Sequence, residues 1–406
     1  MTACRTCKGT NLYLFLPLGD HPLANGFLRY DQLGAAEPKF ALDTHVCLDC
    51  GLIQVRDNVP AEYFRNYVYL PSASPQMHRH FDTYASAVFE RFLGRPNALS
   101  VDIGCNDGLF LGSLKKRGAR TLGIDPADNI TQIARDCGIE VIGEYFHPSI
   151  ATAVRERYGR AKVIVTNNTF HHVDDLHSFM EGVRLLLEDD GVFIVEVPHA
   201  LELVEKNEFD GVYHEHVSQM TVKSFVALFK HFGMKVFDVT HLEVHGGSIR
   251  VHACLQGSAI GGSTDVTRWL EEEERRQLFS KATYHAFRER VETNRAATMD
   301  LLRALKAQGK RIAGYGASAR GNTLLNYDGI GTGTLDYIAD RNHLKQGLYS
   351  PGMHIPVVPP ERIQSDPPDY LFVLAWNFSD EIIEQESAFR KGGGAFILPL
   401  PEPVIV

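Results

Sequence analysis

The sequence predicts an α/β protein in three parts: a small metal-stapled N-terminal module, a central domain around a seven-stranded sheet, and a second α/β domain at the C-terminal end. Three observations predict this organisation. Two C-x-x-C pairs frame the first fifty residues, strand-like and helix-like segments alternate from Leu99 onward, and a further strand with a glycine turn begins at Arg311. A chain of 406 residues is also long for a single core, so several domains are expected.

The N-terminal module is predicted from four cysteines: Cys4, Cys7, Cys47 and Cys50. Two thiolates three positions apart can wrap one cation with a tight turn, and four thiolates close a tetrahedral site around zinc. Such a site leaves no open coordination position. The sequence therefore predicts a structural zinc ion, with the chemistry located elsewhere in the chain.

The overall composition limits the partners and the location of the protein. A formal net charge of −9 argues against nucleic acid as the main partner, because phosphate binding needs a basic surface. No run approaches the roughly 20 apolar residues that span a bilayer, and the first residues lack the apolar core of a signal peptide. The odd number of cysteines fits reduced thiols. We therefore expect a cytoplasmic protein without membrane or nucleic-acid partners; the oligomeric state is left open, with a monomer among the options.

Seven segments with strand character predict the central sheet: 99–103, 121–124, 140–142, 163–166, 192–197, 235–240 and 249–255. Helical segments alternate with the earlier strands, which is the pattern of a parallel sheet. The last two strands are separated only by residues 241–248, which contain the turn Gly246-Gly247. This short connection predicts an antiparallel hairpin at the edge of the sheet.

Helices and a second α/β unit are predicted around this domain. A helix is expected at about 74–92, and a long charged amphipathic segment at 264–308 forms one helix or a helix pair. The second unit has strands at 311–316, 335–339, 355–358, 370–374 and 395–398. The predicted boundaries are 1–65 for the zinc module, 66–256 for the central domain, and 257–406 for the linker helices and C-terminal domain.

The strongest local motif ends the first central strand: Asp102, Gly104, Asn106, Asp107 and Gly108. A glycine turn that opens a helix lets the backbone approach a ligand at the carboxyl edge of the sheet. The second strand ends in Asp125-Pro126, where a carboxylate could grip two ribose hydroxyls. A pyrophosphate would meet Asp107 in this acidic loop, so a positively charged cofactor fits better than a dinucleotide.

Two later segments carry acid–base side chains. After the fourth and fifth strands come Asn167, Asn168, His171, His172, Tyr213, His214, Glu215 and His216. A metal site at the Y-H-E-H segment would need ligands from elsewhere, because the helical spacing of a zinc hydrolase is absent. Histidine can remove a proton from carbon beside a carbonyl, with Glu215 or Tyr213 orienting or polarising. The alternatives are a hydrogen-bonded polar turn for Y-H-E-H, and helix capping or packing for the adjacent histidines.

A third set of polar residues lies further along the chain: His245, Arg250, Ser318, Arg320, Asn322 and Asp340. A glycine turn after a strand, with hydroxyls, an arginine and a helix start, suits phosphate oxygens. Only G-x-G remains of the dinucleotide fingerprint, at Gly314 and Gly316, so binding of a nicotinamide dinucleotide is disfavoured. Asp340 follows the next strand, where a ligand hydroxyl or base would be read.

In this order the motifs resemble the S-adenosylmethionine-dependent sugar C-methyltransferases, which act on nucleotide-linked keto-deoxysugars in the biosynthesis of branched sugars. The resemblance covers essentially the whole chain, through the cysteine pairs and the segments at 102–108, 167–175, 209–218, 245–250, 314–323 and 338–356. It implies a zinc-binding module, a central class I methyltransferase domain with a Rossmann-like seven-stranded sheet, and a C-terminal Rossmann-like α/β domain.

The resemblance also implies an activity: methyl transfer from S-adenosylmethionine to C3 of a 4-keto-6-deoxysugar, through an enolate. His216 would be the general base, Tyr213 and Glu215 would assist, and Tyr67 and His172 would line the pocket. The cofactor would lie against Asp102, Gly104, Asn106, Asp107, Gly108, Asp125, Pro126, Asn167 and Asn168. The C-terminal domain would hold the sugar nucleotide, with Ser318, Arg320 and Asn322 near its diphosphate or base.

Several alternatives stay open on the sequence. They are C5 methylation, O- or N-methylation of a sugar nucleotide, and a non-catalytic zinc-ribbon binding protein. The nucleotide could carry thymidine, guanosine or cytidine. The zinc module could also act as a structural lid, in which Tyr63 and Tyr67 of the aromatic stretch 63–69 close over donor and sugar. Zinc removal would then damage folding and closure.

Overall fold

The structure of the protein is a computed structural model that describes residues 3–56, 59, 65, 69–94 and 97–406. For His245 it describes the backbone and not the side chain. Tyr63, Tyr67 and the His245 side chain therefore lie outside the described residues, and their predicted roles stay predictions.

Within the described residues the strands are, in chain order, β1 (Leu12–Pro22), β2 (Lys39–Cys47), β3 (Ile53–Val55), β4 (Leu99–Ile103), β5 (Arg120–Ile124), β6 (Val141–Ile142), β7 (Ala161–Asn167), β8 (Leu187–Pro198), β9 (Ser218–Gln219), β10 (Met234–Leu242), β11 (Ser248–Leu255), β12 (Ile312–Tyr315), β13 (Ile338–Ala339), β14 (Val357–Val358), β15 (Tyr370–Val373), β16 (Ala395–Leu398) and β17 (Val404–Ile405). The α-helices of the same residues are α1 (Pro75–Phe92), α2 (Leu109–Lys116), α3 (Asp128–Asp136), α4 (Pro148–Tyr158), α5 (Leu176–Leu186), α6 (Ala200–Glu205), α7 (Val222–His231), α8 (Asp265–Arg275), α9 (Lys281–Ala307), α10 (Ala319–Asp328), α11 (Glu361–Ser365), α12 (Ser379–Gln385) and α13 (Ser387–Lys391).

The central domain is a seven-stranded sheet in the order β10-β11-β8-β7-β4-β5-β6. Its strands β4 to β8 pair in parallel, whereas β11 runs antiparallel to β8 and β10 runs antiparallel to β11. The seven predicted strands and the edge hairpin are confirmed. Val163, Ile164 and Val165 in β7 are fully buried, as expected for a strand covered on both faces. Ligands of such sheets bind at the carboxyl ends, where the strand order reverses between β4 and β7.

The N-terminal module is an antiparallel sheet in the order β1-β2-β3-β9. Its last strand, β9, comes from the central part of the chain and pairs Gln219 with Ile53 of β3. The Thr221 hydroxyl also donates to the carbonyl of Cys50 at 3.0 Å. The module is thus joined to the segment that follows His216 by main-chain hydrogen bonds.

The C-terminal domain is a six-stranded sheet in the order β14-β13-β12-β15-β16-β17, parallel except for β17. The predicted second α/β unit is therefore confirmed. Helix α10 starts after the β12 turn because the Ser318 hydroxyl accepts the N–H of Gly321 at 2.9 Å, which is an N-cap.

The charged segment between these domains is a helix pair, α8 and α9. The buried side of α9 packs on the N-terminal module, where the Phe15 ring lies 4.7 Å from Tyr284 and 5.9 Å from Phe287 between centroids. Buried Glu273 of α8 accepts the N–H groups of Val222 and Lys223 at the start of α7. The linker helices therefore fasten the parts to one another. None of the described helices is long and apolar enough to cross a membrane.

Candidate active site

A cavity of about 360 Å³ opens at the carboxyl ends of β4, β5 and β7. Its volume is within the range of small-molecule sites, roughly 300–1,000 Å³. It is lined by the residues that the sequence assigns to the cofactor, apart from Gly108: Asp102, Gly104, Asn106, Asp107, Asp125, Pro126, Asn167 and Asn168. The fold thus brings residues from three separate strand ends to one place.

The loop after β4 depends on backbone conformations that few residues adopt. Gly104 has φ +80°, and a Cβ atom there would lie 2.1 Å from the Thr169 hydroxyl oxygen. Gly108 has φ +76° and opens α2 instead of lining the cavity. The Asp107 carboxylate accepts the N–H groups of Leu109 at 3.3 Å and Ser72 at 3.0 Å. Glycine is therefore required where this loop turns toward the cavity.

Two carboxyl groups line the inner part of the cavity. The two oxygens of Asp125 accept the N–H groups of Asn106 at 3.0 Å and Ala127 at 2.9 Å. Asp102 is buried, and its Oδ1 has no hydrogen-bond partner among the described residues. Burial raises the pKa of Asp125, and burial together with the Asp125 charge raises the pKa of Asp102. A bound cation would relieve this cost, so the pair suits a positively charged ligand.

The end of β7 adds polar atoms that lack protein partners. The amide oxygen and nitrogen of Asn167 are both buried and make no hydrogen bond within the described part of the chain. Buried polar groups are nearly always satisfied in native structures. These atoms and the Asp102 oxygen therefore fit a polar ligand such as S-adenosylmethionine in this cavity.

A second cavity, of about 200 Å³, adjoins the first. Tyr69, Asn168 and His172 line both cavities. All three parts of the chain contribute to the wall of the second cavity, which includes Asn25, Tyr213, His216, Ser318, Arg320 and Lys345. A molecule bound there would face the cofactor cavity across the three shared residues.

Tyr213 and His216 form a hydrogen-bonded pair in the second cavity. The Tyr213 hydroxyl lies 2.5 Å from His216 Nε2, and His216 Nδ1 lies 3.0 Å from the Gly211 carbonyl oxygen. Because a carbonyl oxygen only accepts, Nδ1 carries the proton of the neutral ring and Nε2 presents the lone pair. Burial raises the pKa of Tyr213 well above its usual value, so the hydroxyl stays protonated and donates. The pair thus places a basic nitrogen and a hydroxyl donor together on two residues that line the cavity.

Two further histidines surround His216. The ring centroids of His171 and His172 lie 4.2 Å and 5.0 Å from that of His216, and the three rings have nitrogen atoms within 4.8 Å of one another. Burial lowers the pKa of His172 to about 4, so this imidazole is neutral near pH 7. The three rings therefore form one imidazole cluster, in which His216 keeps its hydrogen bonds to Tyr213 and Gly211.

Glu215 does not line the second cavity but contacts a residue that does. It lines neither cavity, and its Oε1 accepts a hydrogen bond from Asn25 Nδ2 at 2.7 Å. Since Asn25 does line the second cavity, Glu215 acts on this cavity by orienting the Asn25 amide.

Arg320 lines the second cavity, but two carboxylates already balance its charge. Its Nη2 lies 2.8 Å from Glu208 and 3.0 Å from Asp210, and the guanidinium stacks on the Trp376 ring at 4.8 Å. Ser318 lines the same cavity at the start of α10. The arginine that the sequence places near a diphosphate is thus part of an internal ion-pair cluster.

Neither Asn322 nor Asp340 is among the residues that line the two cavities. The Asn322 amide is buried and donates to the carbonyl of Ala24 at 2.7 Å. The Asp340 carboxylate accepts the N–H groups of Ala317 at 2.6 Å and Asn342 at 2.7 Å. Both side chains thus make hydrogen bonds within the fold, and their predicted contact with the substrate stays a prediction.

Arg250 also lies outside the two cavities. Its guanidinium donates to buried Glu196 at 2.9 Å and 2.6 Å and stacks 3.5 Å above the Tyr84 ring. The other Glu196 oxygen lies 2.7 Å from His80. This network joins α1 to β8 and β11, and the predicted contact of Arg250 with the substrate stays a prediction.

Asn25, Tyr69 and Lys345 are among the residues of the second cavity that the sequence analysis does not select. Tyr69 belongs to the aromatic stretch 63–69, so this signal pointed to the right segment. Lys345 lies within the segment 338–356, which was noted as a motif without a role for the lysine. Asn25 had no signal, because a single asparagine in a loop is common.

The four cysteines converge at the base of the N-terminal sheet. The Sγ atoms of Cys4 and Cys50 are 3.6 Å apart, as are those of Cys7 and Cys47, and all four lie within 4.8 Å. A zinc–sulfur distance of about 2.3 Å puts the sulfurs of a tetrahedral site roughly 3.8 Å apart. The cluster therefore fits one structural zinc ion with four thiolate ligands.

The cysteine cluster is connected to the active site through Arg5. The Arg5 guanidinium donates to the carbonyls of Val55 at 2.6 Å and Val217 at 3.3 Å, and its Nε lies 3.2 Å from Asp174. Val217 directly follows His216, and Asp174 comes two residues after His172. The first C-x-x-C turn thus supports both histidine segments.

Three family models match consecutive parts of the chain. The model of a zinc binding domain matches residues 4–64, the model of a methyltransferase domain matches residues 77–239, and the model of a C-methyltransferase C-terminal domain matches residues 243–401.

Relatives match over different lengths. The C-methyltransferase NovU of Streptomyces niveus is 35% identical over 404 residues, which cover 99% of this chain and 96% of that protein. A mitochondrial ubiquinone biosynthesis O-methyltransferase of Bos taurus is 26% identical over 28% of this chain and 33% of its own length. The crystal structure of magnesium protoporphyrin IX methyltransferase from Synechocystis PCC 6803 with bound SAM covers 48% of this chain and 88% of its own, with 12% identity and a TM-score of 0.35.

Proposed function

The chain belongs to the S-adenosylmethionine-dependent C-methyltransferase family, and we propose that it methylates C3 of a nucleotide-diphosphate-linked 4-keto-6-deoxysugar to give a branched-chain sugar. The observation that carries this proposal is the His216–Tyr213 pair, in a cavity that shares Asn168 and His172 with the cofactor cavity. A carbon acid needs such a base, because a C–H bond alpha to a ketone is a weak acid.

The residues of the second cavity have separate roles in the reaction. His216 Nε2 removes the C3 proton, and the Gly211 carbonyl holds the Nδ1–H, which orients the ring and stabilises the imidazolium that forms. The Tyr213 hydroxyl, released from Nε2, can donate to an oxygen of the substrate. Neutral His172 borders both cavities and keeps a positive charge away from the methyl donor.

The residues of the first cavity hold the cofactor. The Asp125 carboxylate is fixed by two N–H groups and accepts from ribose hydroxyls, while Asp102 and Asn167 offer unsatisfied polar atoms to the rest of the molecule. When bound, S-adenosylmethionine supplies an electrophilic methyl group. The zinc ion organises the N-terminal module and takes no part in the chemistry. The odd number of cysteines, four of them in the metal cluster, supports a cytoplasmic location.

Hydrogen exchange at the sugar tests this proposal. In deuterium oxide, with S-adenosylhomocysteine in place of the methyl donor, the enzyme should exchange the C3 hydrogen of a 4-keto-6-deoxysugar nucleotide, as followed by NMR. Exchange at C5 would instead move the reaction to the other carbon beside the ketone. No exchange at either carbon, together with an O-methylated product when S-adenosylmethionine is supplied instead, would contradict carbon methylation.

A further inference from the structure

The second cavity contains a buried lysine whose donors are mostly unused. Lys345 is 8% exposed and lines the cavity, and its ammonium donates to the Ala317 carbonyl at 2.7 Å. An ammonium has three N–H donors, so two remain for another acceptor. Among the described residues, no carboxylate forms an ion pair with Lys345 within 4.0 Å. The ammonium also lies 5.2 Å from the centroid of the Phe27 ring, but neither this contact nor the Ala317 carbonyl neutralises the buried charge, as a bound anion would.

Arg320, the other cation that lines the second cavity, has carboxylate partners. Arg320 is paired with Glu208 and Asp210, whose oxygens lie 2.8 Å and 3.0 Å from Nη2. Burial lowers the pKa of Lys345, and the charges of Asp340 and Glu215 oppose that shift. An anion bound beside the ammonium would oppose it further.

The start of α10 lies beside the Lys345 ammonium. Ala317, which accepts from Lys345, immediately precedes the N-cap Ser318, and both Ser318 and Ala319 line the cavity. The N–H of Ala319 has no acceptor among the described residues. A helix N-terminus combined with a lysine is a common arrangement for phosphate oxygens.

We propose that Lys345 and the N-terminus of α10 bind the diphosphate of the substrate. This assignment rests on the proposed function for the nature of the ligand. The sugar then occupies the part of the cavity beside His216. The nucleoside of the bound substrate extends past Asn377 and Phe378. These two residues line both this cavity and a neighbouring groove of about 510 Å³.

Binding of inorganic pyrophosphate to the full-length zinc-loaded protein tests the assignment without any turnover. By calorimetry, Lys345→Met should weaken pyrophosphate binding at least about tenfold, and Lys345→Arg should weaken it less because the positive charge remains. Lys391→Met, at an exposed position on α13, is the matched control and should bind like the unchanged protein. Circular dichroism confirms that each variant is folded.

Two outcomes would overturn the assignment. The first is that the unchanged protein does not bind pyrophosphate or that Lys345→Met binds it equally tightly. The second is unchanged pyrophosphate affinity with slower exchange of the sugar C3 hydrogen in Lys345→Met, which would make the lysine a partner of the enolate oxygen. A Lys345-dependent affinity for pyrophosphate in a protein that methylates no keto sugar would support the diphosphate site and contradict only the proposed reaction.

Discussion

At the scale of single residues, the direction of one hydrogen bond defines the base. Gly211 contributes only a carbonyl oxygen, so His216 holds a proton on Nδ1, and its Nε2 meets the Tyr213 hydroxyl. Tyr213 stays protonated in its buried position and therefore donates to that lone pair at rest. The base is oriented before the substrate arrives.

His216→Asn should remove turnover and leave the cofactor site intact. We expect kcat to fall by about 10²- to 10⁴-fold, the usual range for a lost general base. The affinity for S-adenosylhomocysteine, measured by calorimetry, should not change. His285→Asn, on the exposed side of α9, is the matched control. Turnover that survives in His216→Asn would remove this histidine from the mechanism.

Asp328, at the end of α10, should make stability depend on pH. Burial raises its pKa from 3.8 to about 7, and neither carboxyl oxygen has a hydrogen-bond partner among the described residues. The folded chain therefore keeps a proton that the unfolded chain releases above pH 3.8. The stability that this retained proton contributes to the folded state is complete below pH 3.8, the pKa in the unfolded chain. It is lost as the pH rises through about 7, the pKa in the folded chain.

Thermal unfolding of Asp328→Asn checks this expectation. Because asparagine does not ionise, the variant should gain melting temperature relative to the unchanged protein as the pH rises from 5 to 8. The penalty removed is up to about 4 kcal/mol. A difference in melting temperature that stays constant over this range would contradict the buried, protonated state of Asp328.

At the scale of elements, the turn between β4 and α2 has no space for a side chain at Gly104. Gly104→Ala would combine a positive φ with a Cβ 2.1 Å from Thr169. We expect displacement of the loop and at least about tenfold weaker binding of S-adenosylhomocysteine. Gly112→Ala, in α2 where a Cβ meets nothing within 4 Å, is the control and should be neutral or slightly stabilising. Equal affinity in both variants would contradict the packing of this loop.

The cysteine cluster should influence catalysis through Arg5. Arg5→Met removes the bonds to Val55 and Val217 while keeping all four cysteines. We expect unchanged zinc content, measured by mass spectrometry, and a kcat lowered by about 10- to 100-fold, because the His216 segment loses its support. Arg5→Lys should recover only part of this loss, since lysine cannot reproduce the planar fork.

Arg29→Met tests whether this effect is specific. Arg29 also lies in the N-terminal module, but its side chain is exposed and pairs only with Asp31 among the described residues. This variant should keep both zinc and activity. If Arg5→Met retains zinc and full kcat with an unchanged pH profile, Arg5 does not position the His216 segment.

At the scale of the whole molecule, the architecture and the motif positions could be predicted from the sequence. The seven central strands, the edge hairpin and the cysteine cluster follow from short apolar segments and from the spacing of glycines and cysteines. Such local patterns can be recognised without knowledge of tertiary contacts. Long-range pairing could not be predicted in this way. Arg320 meets Asp210 across 110 residues, and Arg250 meets Glu196 across 54.

That difference matters for the residues predicted to bind the diphosphate. An arginine and a lysine look equally suited to a diphosphate in a sequence, and only the folded chain shows that Arg320 is already paired whereas Lys345 has unused donors. The active site lies where all three parts of the chain meet, so its polar contacts depend on tertiary structure. The predicted domain boundaries at 65/66 and 256/257 stay predictions.

The most direct test of the central claim is the position of the transferred methyl group. The enzyme is incubated with S-adenosylmethionine labelled with carbon-13 in the methyl group and with a panel of thymidine, guanosine and cytidine diphosphate 4-keto-6-deoxysugars. NMR of the product should show the labelled methyl bonded to C3, with the C3 hydrogen gone. A labelled methyl bonded to oxygen or nitrogen would contradict the account.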